Sequence, residues 1–306
     1  MENLVRQQYD NARQLLDSAL TLDPDNADAL YMRVTVEQTE LLDYESYTIH
    51  GDTFLHLADS ILEVFDSRAR GKDEVKILFY KGNICGGKSI IKAKTGNWMG
   101  AVKDALTSVS FLKKVKSKDP DFYAAYLGIG VFNYYLSQNL SWVPFLGDKS
   151  LEGLREIEKA TRAKFPFNYA AKNTLAWILI DRKEFGKADS VVATVLRDYP
   201  DNTIFLRIKA RIALWTGRYK KAVAAGKKLY SLSEKRIPVN WSDFLSGYQI
   251  VAESCEKMGD YSSSYEAAAT ALNYSVPSPY KQIGYVQQHT DFLKRVQENY
   301  KDREKR

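Results

Sequence analysis

Apolar residues recur along the chain at the three-to-four-residue spacing of amphipathic helices. This spacing predicts about fourteen helices, each with one apolar face for packing. No run of alternating apolar and polar residues competes over a useful length, so no strand is expected. The predicted helices cover residues 2–22, 27–43, 50–69, 72–95, 98–117, 120–138, 149–163, 167–182, 185–199, 202–216, 219–232, 238–258, 261–274 and 278–300.

The same pattern repeats with a period of 34 residues in the second half of the chain. Ala176 and Ala188 of one unit return as Ala210 and Ala222 of the next. Small residues at these positions let two antiparallel helices approach closely, while the larger apolar residues fill the seam between hairpins. Pro200 follows the second helix and ends it.

This spacing resembles the tetratricopeptide repeat, and the match is specific over residues 169–276. The resemblance implies an all-α, right-handed α-α superhelix, a solenoid of about seven antiparallel helix hairpins. We expect one solenoid over 1–306. It would have irregular hairpins in 1–140, an apolar connecting loop at 141–150, and regular units with a terminal capping helix in 151–300. The segment Ala125–Leu136 is also similar to bacterial tetratricopeptide proteins without an assigned activity.

The resemblance implies that the first helix of each hairpin lines a concave groove. The positions facing this groove would be Asn173, Trp177, Asp181, Arg207, Arg211, Leu214, Trp215, Gln249, Glu253 and Lys257. Arg207 and Arg211 lie one turn apart, so together they could grip a carboxylate or a phosphate. Trp177 and Trp215 could provide apolar anchors.

Two structural alternatives stay open for these groove residues. The tryptophans could instead fill the seam between hairpins, and the arginines could pair with Asp181 or Glu253. Chaperone-binding tetratricopeptide domains need Lys and Asn at the positions held here by Asn173 and Trp177. Capture of an acidic C-terminal tail by that route is therefore not expected.

The segment Gly82–Ser89 satisfies the phosphate-loop pattern of nucleotide hydrolases, which gives an alternative function as a nucleotide-binding enzyme using Lys88. A phosphate loop needs a parallel sheet beneath it, and the pattern supplies only helices. We therefore expect these glycines to serve close helix packing. The histidines show no metal spacing, and acidic residues such as Glu156 are expected on solvent faces. No cofactor, no metal and no catalytic residue is predicted.

Composition changes this picture little, because 45% hydrophobic and 27% charged residues are ordinary for a globular protein. The net charge of +6 includes two lysine clusters, Lys113, Lys114, Lys116 and Lys118, and Lys220, Lys221, Lys227 and Lys228. These clusters are either solvated helix faces or footprints for an acidic partner, nucleic acid or anionic lipid. Exposed aromatic residues do not interleave with them, so nucleic acid is not the expected partner.

A second candidate surface is the loop Leu140–Asp148, in which Trp142 and Phe145 are too apolar for solvent. The loop either covers a hairpin end or inserts into a partner, a second copy or a membrane surface. The second reading gives another alternative function, a structural or assembly protein and possible homo-oligomer.

The predicted function is that of a non-catalytic binding or scaffold protein, which presents its groove to a protein or peptide partner. No transmembrane segment is expected, since no stretch of 18 apolar residues occurs. The two cysteines, Cys85 and Cys255, are expected to be buried and unpaired. We expect a soluble protein, cytoplasmic by default, with a mature exported form as the alternative.

Overall fold

A computed structural model describes residues 2–67, 73–139 and 148–301, and it describes side chains there except at 136–139. In these ranges the chain forms sixteen helices and no strand, which confirms the all-α class. The helices are α1 Glu2–Val5, α2 Tyr9–Leu22, α3 Ala27–Asp43, α4 Tyr47–Asp66, α5 Glu74–Lys94, α6 Trp98–Lys118, α7 Ala125–Asn139, α8 Ser150–Ala160, α9 Phe167–Asp181, α10 Phe185–Asp198, α11 Thr203–Trp215, α12 Tyr219–Glu234, α13 Trp241–Lys257, α14 Tyr261–Leu272, α15 Ser278–Lys281 and α16 Gly284–Tyr300.

Two predicted helices are interrupted. The helix predicted over 2–22 breaks between α1 and α2, where Gln7 has a left-handed backbone with φ of 60°. The helix predicted over 278–300 breaks between α15 and α16. Helix α7 begins five residues later than predicted, because residues 120–124 form turns and the Tyr126 hydroxyl donates to the Pro120 carbonyl over 2.8 Å.

The chain forms two compact units. The first comprises Met1–Leu41 and His50–Ile178, and the second comprises Leu42–Ile49 and Leu179–Arg306. Residues Leu42–Ile49, here named the α3–α4 segment, include the turn between these two helices. The predicted subdivision of the solenoid at residues 141–150 stays a prediction.

The first unit has an aromatic core. Tyr31 stacks on Tyr80 with ring centroids 4.0 Å apart, and Phe79 lies 4.7 Å from Phe122 and 5.3 Å from Phe167. Such pairs add to the burial of apolar area because ring edges meet ring faces. The core therefore connects α3, α5 and α9, together with the turn before α7.

The phosphate-loop pattern Gly82–Ser89 lies within helix α5. Lys88 is buried, and its ammonium group forms an ion pair with Asp59 that links α5 to α4 within the first unit. A Cβ atom on Gly82 would lie 2.7 Å from the side chain of Leu112, which shows why this position must be small. The segment has helical backbone, which does not form the cradle of amides that a phosphate requires.

Helices α7 and α8 approach closely at a pair of glycines. A Cβ atom on Gly153 would lie 2.6 Å from the backbone oxygen of Gly130 and 2.6 Å from the backbone nitrogen of Tyr134. Backbone atoms cannot move aside as a side chain can. This contact therefore requires glycine on both helices.

The expectation that Glu156 faces solvent is wrong. Its side chain is buried on α8, where it accepts hydrogen bonds from Lys116 over 2.9 Å and from Asn133 over 2.8 Å. A carboxylate can be buried when it is paired and hydrogen-bonded in this way. Glu156 thus joins α6, α7 and α8.

The second unit has its main core between α13, α14 and α16. Its buried members are Trp241, Phe244, Leu245, Tyr248, Ala252, Ala268, Ala271, Ile283, Val286, Leu293 and Val296. Helices α11 and α12 continue the same packing with a smaller core around Ala210, Ala213, Ala222 and Ile250. The regular 34-residue units therefore pack as stacked hairpins.

The α3–α4 segment is held in the second unit by polar contacts. Asp43 lies 2.7 Å from the Arg236 guanidinium, and the Asn240 amide donates to the Asp43 carbonyl over 3.2 Å. The Ser242 hydroxyl donates to the Tyr44 carbonyl over 2.9 Å. Asp43, Asn240 and Ser242 are all at most 1% exposed, so these contacts form a buried polar connection.

Candidate binding site on the second unit

Helix α11 carries three of the predicted groove residues on one side. Arg207, Arg211 and Trp215 follow one another at four-residue intervals, one for each helical turn. Asn202 caps the N-terminus of this helix, because its side chain accepts a hydrogen bond from the Phe205 amide over 3.1 Å. These three side chains nevertheless lie in different surroundings.

Arg207 is buried and belongs to an ion cluster. One of its terminal nitrogens lies 3.2 Å from Asp243 and 4.0 Å from Glu45 of the α3–α4 segment. Burial alone would lower the pKa of Arg207, but the carboxylates of Asp243 and Glu45 outweigh it and raise that pKa. The alternative pairing with Asp181 or Glu253 is therefore wrong for Arg207.

Asp243 lies at the centre of this ion cluster and is fully buried. Burial raises the pKa of its carboxyl to about 6, and the charge of Arg207 limits the rise. The ionised carboxylate of Asp243 thus lies deep in the second unit, where the positive charge of Arg207 stabilises it. Arg207 is thus paired with the protein's own carboxylates, Asp243 and Glu45.

Arg211 is a cation whose contacts are a hydroxyl and two rings. It donates to the Tyr285 hydroxyl, and its guanidinium carbon lies 5.4 Å from the Tyr285 ring centroid and 6.0 Å from that of Trp215. Its Nε is buried without a hydrogen-bond partner among the described residues. Burial, together with the charge of Arg207, lowers the pKa of Arg211 to about 10, which leaves it charged at neutral pH.

His289 of α16 lies behind this arginine. Its Nδ1 contacts the Gln249 amide oxygen, and its ring meets the Tyr285 ring edge to face at 4.3 Å. Nε2 is buried and has no hydrogen-bond partner among the described residues. Burial, followed by the charges of Arg211 and Arg207, lowers the pKa of His289 to about 3.

The neutral state of His289 predicts a loss of stability in acid. The unfolded chain takes up this proton near pH 6.5, whereas the folded chain resists it down to about pH 3. The contribution of His289 to the free energy of unfolding should therefore fall as pH is lowered from about 6.5, by up to about 1.4 kcal/mol per pH unit. Urea unfolding of the wild type and of His289→Gln at pH 7.5, 6.5 and 5.5 measures this slope.

The test compares the slopes of the wild type and His289→Gln. The pKa of Asp243 is raised, so its contribution to the slope has the opposite sign, but it is the same in both proteins. The slope of His289→Gln should be flatter below pH 6.5. His56→Gln, which removes an exposed histidine of α4, should keep the wild-type slope. Parallel curves for wild type and His289→Gln would contradict the burial of a neutral imidazole.

The remaining predicted residues are placed as follows. Trp215 is 46% exposed and its ring lies 6.5 Å from Phe185 of α10, so it leaves an open apolar surface beside Arg211. Glu253 is half-buried and acts on Arg211 through space, without a hydrogen bond among the described residues. Leu214 is buried in the core and does not face a groove, which corrects its assignment.

Asn173 and Trp177 are half-buried on α9 and belong to the first unit, so they are described with it. The second unit thus brings together Arg207, Arg211, Trp215, Gln249 and Glu253. The predicted loop residues Trp142 and Phe145 lie outside the described residues, and their assembly role stays a prediction.

Sequence reasoning missed Tyr285 and His289 of the terminal helix and Glu45 of the α3–α4 segment. The repeat pattern does not cover α16, and no local motif links these residues to α11. The free cysteines Cys85 and Cys255 are buried, as predicted. Among the residues described, no group of three or more His, Cys, Asp or Glu side chains could hold a metal ion. Nor does any helix in these ranges combine the length and apolar character needed to cross a bilayer.

Solved structures with a similar fold include three proteins of 11–15% sequence identity. The structure of the APC/C hetero-tetramer Cut9–Hcn1 matches with a TM-score of 0.57 and 14% identity, covering 96% of this chain and 51% of that one. This chain therefore spans about half the length of that protein. PilW, a widely conserved type IV pilus biogenesis factor, matches with a TM-score of 0.49 and 15% identity, over 79% of this chain and 96% of that one. Yeast Tom70 matches with a TM-score of 0.41 and 11% identity, over 98% and 87%.

No curated protein matches the sequence. The tetratricopeptide repeat family matches residues 173–236, which include helices α10, α11 and α12 and most of α9. The 34-residue period, the stacked hairpins of the second unit and the likeness to Cut9 agree with this match. Residues 173–236 thus match the tetratricopeptide repeat, and over 96% of its length the chain has an all-helical fold similar to that of Cut9.

Proposed function

We propose that this is a non-catalytic binding protein and that a protein or peptide partner docks beside Arg211 and Trp215. The proposal rests on the guanidinium of Arg211, whose hydrogen-bonding and charge requirements are only partly met. It is a largely buried cation that forms no ion pair among the described residues, and its Nε lacks a hydrogen-bond partner. A buried charge without a directly paired counter-charge is costly, and an anionic ligand reduces that cost.

The chemistry of the site selects a carboxylate. A guanidinium is a permanently charged donor, and a carboxylate accepts a charge-assisted hydrogen bond from it. Trp215 is large, aromatic and nearly half exposed, so an apolar side chain next to the carboxylate can pack on its ring. The expected ligand is therefore a peptide with an acidic group within one or two residues of an apolar side chain.

The spacing predicted that Arg207 and Arg211 bind the ligand together, whereas this proposal assigns ligand binding to Arg211 alone. Arg207 is engaged by Asp243 and Glu45, so a single arginine meets the ligand. The Tyr285 hydroxyl accepts a hydrogen bond from the guanidinium, and the Tyr285 ring packs against His289, which in turn contacts Gln249. The arginine is thus pre-positioned, which lowers the entropy lost on binding.

The test is a peptide array followed by fluorescence anisotropy with the best peptides. Arg211→Gln should weaken binding by about tenfold or more, because a hydrogen bond to a charged group contributes about 1.5–3 kcal/mol. Trp215→Ala should also weaken it. Lys209→Gln alters an exposed residue of the same helix and should leave the dissociation constant unchanged. Peptide affinity indifferent to both Arg211→Gln and Trp215→Ala would refute the site.

A further inference from the structure

Helix α6 of the first unit exposes a continuous apolar stripe. Trp98, Val102 and Leu106 follow one another at four-residue intervals and are 68%, 59% and 55% exposed. Met99 lies beside them and is 88% exposed. Four large apolar side chains on two and a half turns exceed the scattered exposure that is normal for a surface helix.

The exposure of Trp98 departs from the repeat pattern. Phe185, Tyr219 and Tyr261 begin the second helix of later hairpins, as Trp98 does here, and all three are half-buried. Phe185 lies 6.5 Å from the Trp215 ring, and Tyr261 stacks on Tyr300 at 4.9 Å. Trp98, the equivalent aromatic residue of α6, is therefore not covered by neighbouring side chains as the other three are.

The exposed half of α6 also carries lysines. Lys103, Lys113 and Lys114 are exposed on this half of the helix and form no ion pair within the described ranges. Lys113 stands two turns beyond Leu106 on the same line of the helix. Asp104, the acidic residue of α6, points the other way: it is buried and pairs with Lys92 over 2.7 Å. The exposed half of the helix thus combines apolar and cationic side chains without a carboxylate.

We propose that this face of α6 docks on an anionic lipid bilayer. Trp, Met and Leu side chains enter the boundary between headgroups and acyl chains, while lysines meet the negative headgroups. The apolar side chains project from a single helix face, which suits a flat, deformable surface. A second copy is disfavoured because apposing two such faces brings lysine against lysine. Nucleic acid is disfavoured because Val102 and Leu106 offer nothing to a phosphate backbone.

The experiment is flotation of the full chain with vesicles of phosphatidylcholine, with or without about one third phosphatidylserine. Binding is expected to the mixed vesicles and not to phosphatidylcholine alone, and it should weaken with added salt. Two double variants, Trp98→Ser with Leu106→Ser and Lys113→Glu with Lys114→Glu, should each lower partitioning by about tenfold or more. Matched controls are Leu15→Ser on α2 and Lys220→Glu with Lys221→Glu on α12, which change equally exposed residues elsewhere.

Circular dichroism of each variant verifies the fold, which exposed substitutions should preserve. Three results would overturn the proposal. One is the absence of binding to mixed vesicles at low ionic strength, and another is binding that both α6 double variants retain. The third is a dimer, seen by light scattering, that Trp98→Ser with Leu106→Ser dissociates; this would assign the face to a second copy. The peptide site at Arg211 is tested separately and does not affect these outcomes.

Discussion

Replacing Arg207 by methionine is expected to lower the free energy of unfolding by about 3–5 kcal/mol at pH 7. The variant leaves the carboxylate of Asp243 buried without its nearest cation, which lies 3.2 Å away in the wild type. Methionine fills similar space, so the loss reports the charge rather than a cavity. The loss should shrink at pH 5, because a carboxyl with a raised pKa takes up a proton there. Urea unfolding at both pH values gives the result.

Two further variants show whether the buried charge is the cause. Arg207→Met with Asp243→Leu removes both partners and should regain most of the loss, as replacement of whole buried pairs by apolar residues often does. Arg218→Met breaks the more exposed pair with Asp189 at 2.9 Å and should cost no more than about 1 kcal/mol. If Arg207→Met costs no more than Arg218→Met, the ion cluster does not stabilise the second unit.

Gly153→Ala is expected to destabilise the first unit by about 1–3 kcal/mol. The added methyl group would meet the Gly130 oxygen and the Tyr134 nitrogen at 2.6 Å, so α7 and α8 must separate. This loss overrides the gain of about 1 kcal/mol that alanine brings to a helix interior. Thermal or urea unfolding followed by circular dichroism measures the change.

Gly186→Ala is the matched control for that prediction. Gly186 also lies in a helix, α10, but nothing stands within 4 Å of the position a Cβ atom would take. Its replacement should leave stability unchanged or raise it by up to about 1 kcal/mol. Equal effects of the two substitutions would mean that the α7–α8 contact tolerates a methyl group.

The helices were predictable because their signal is local. The spacing of apolar residues gave nearly every helix within a few residues, and the 34-residue period gave the repeat type. Helix geometry alone places Arg207, Arg211 and Trp215 on one side of α11. The helical spacing of the surrounding apolar residues also agrees with Gly82–Ser89 lying in a helix, since no strand was predicted beside it.

The surroundings of those side chains were not predictable, because their partners are remote in sequence. Asp43 and Arg236 are separated by 193 residues, and Glu45 reaches Arg207 from the same distant segment. Burial of Glu156 depends on Lys116, 40 residues earlier. Periodicity tells which face of a helix is apolar, but it does not tell which charge meets which.

The α3–α4 segment makes the second unit discontinuous in the chain, and this bears on how fragments behave. No single cut between the repeats can excise this unit whole, since a piece starting at Leu179 lacks Asp43 and Glu45. Such a piece would keep Arg236 and Arg207 while losing carboxylates that neutralise them. During synthesis, residues 42–49 leave the ribosome early and can meet Arg207 and Arg236 only after α11 and α12 have also emerged.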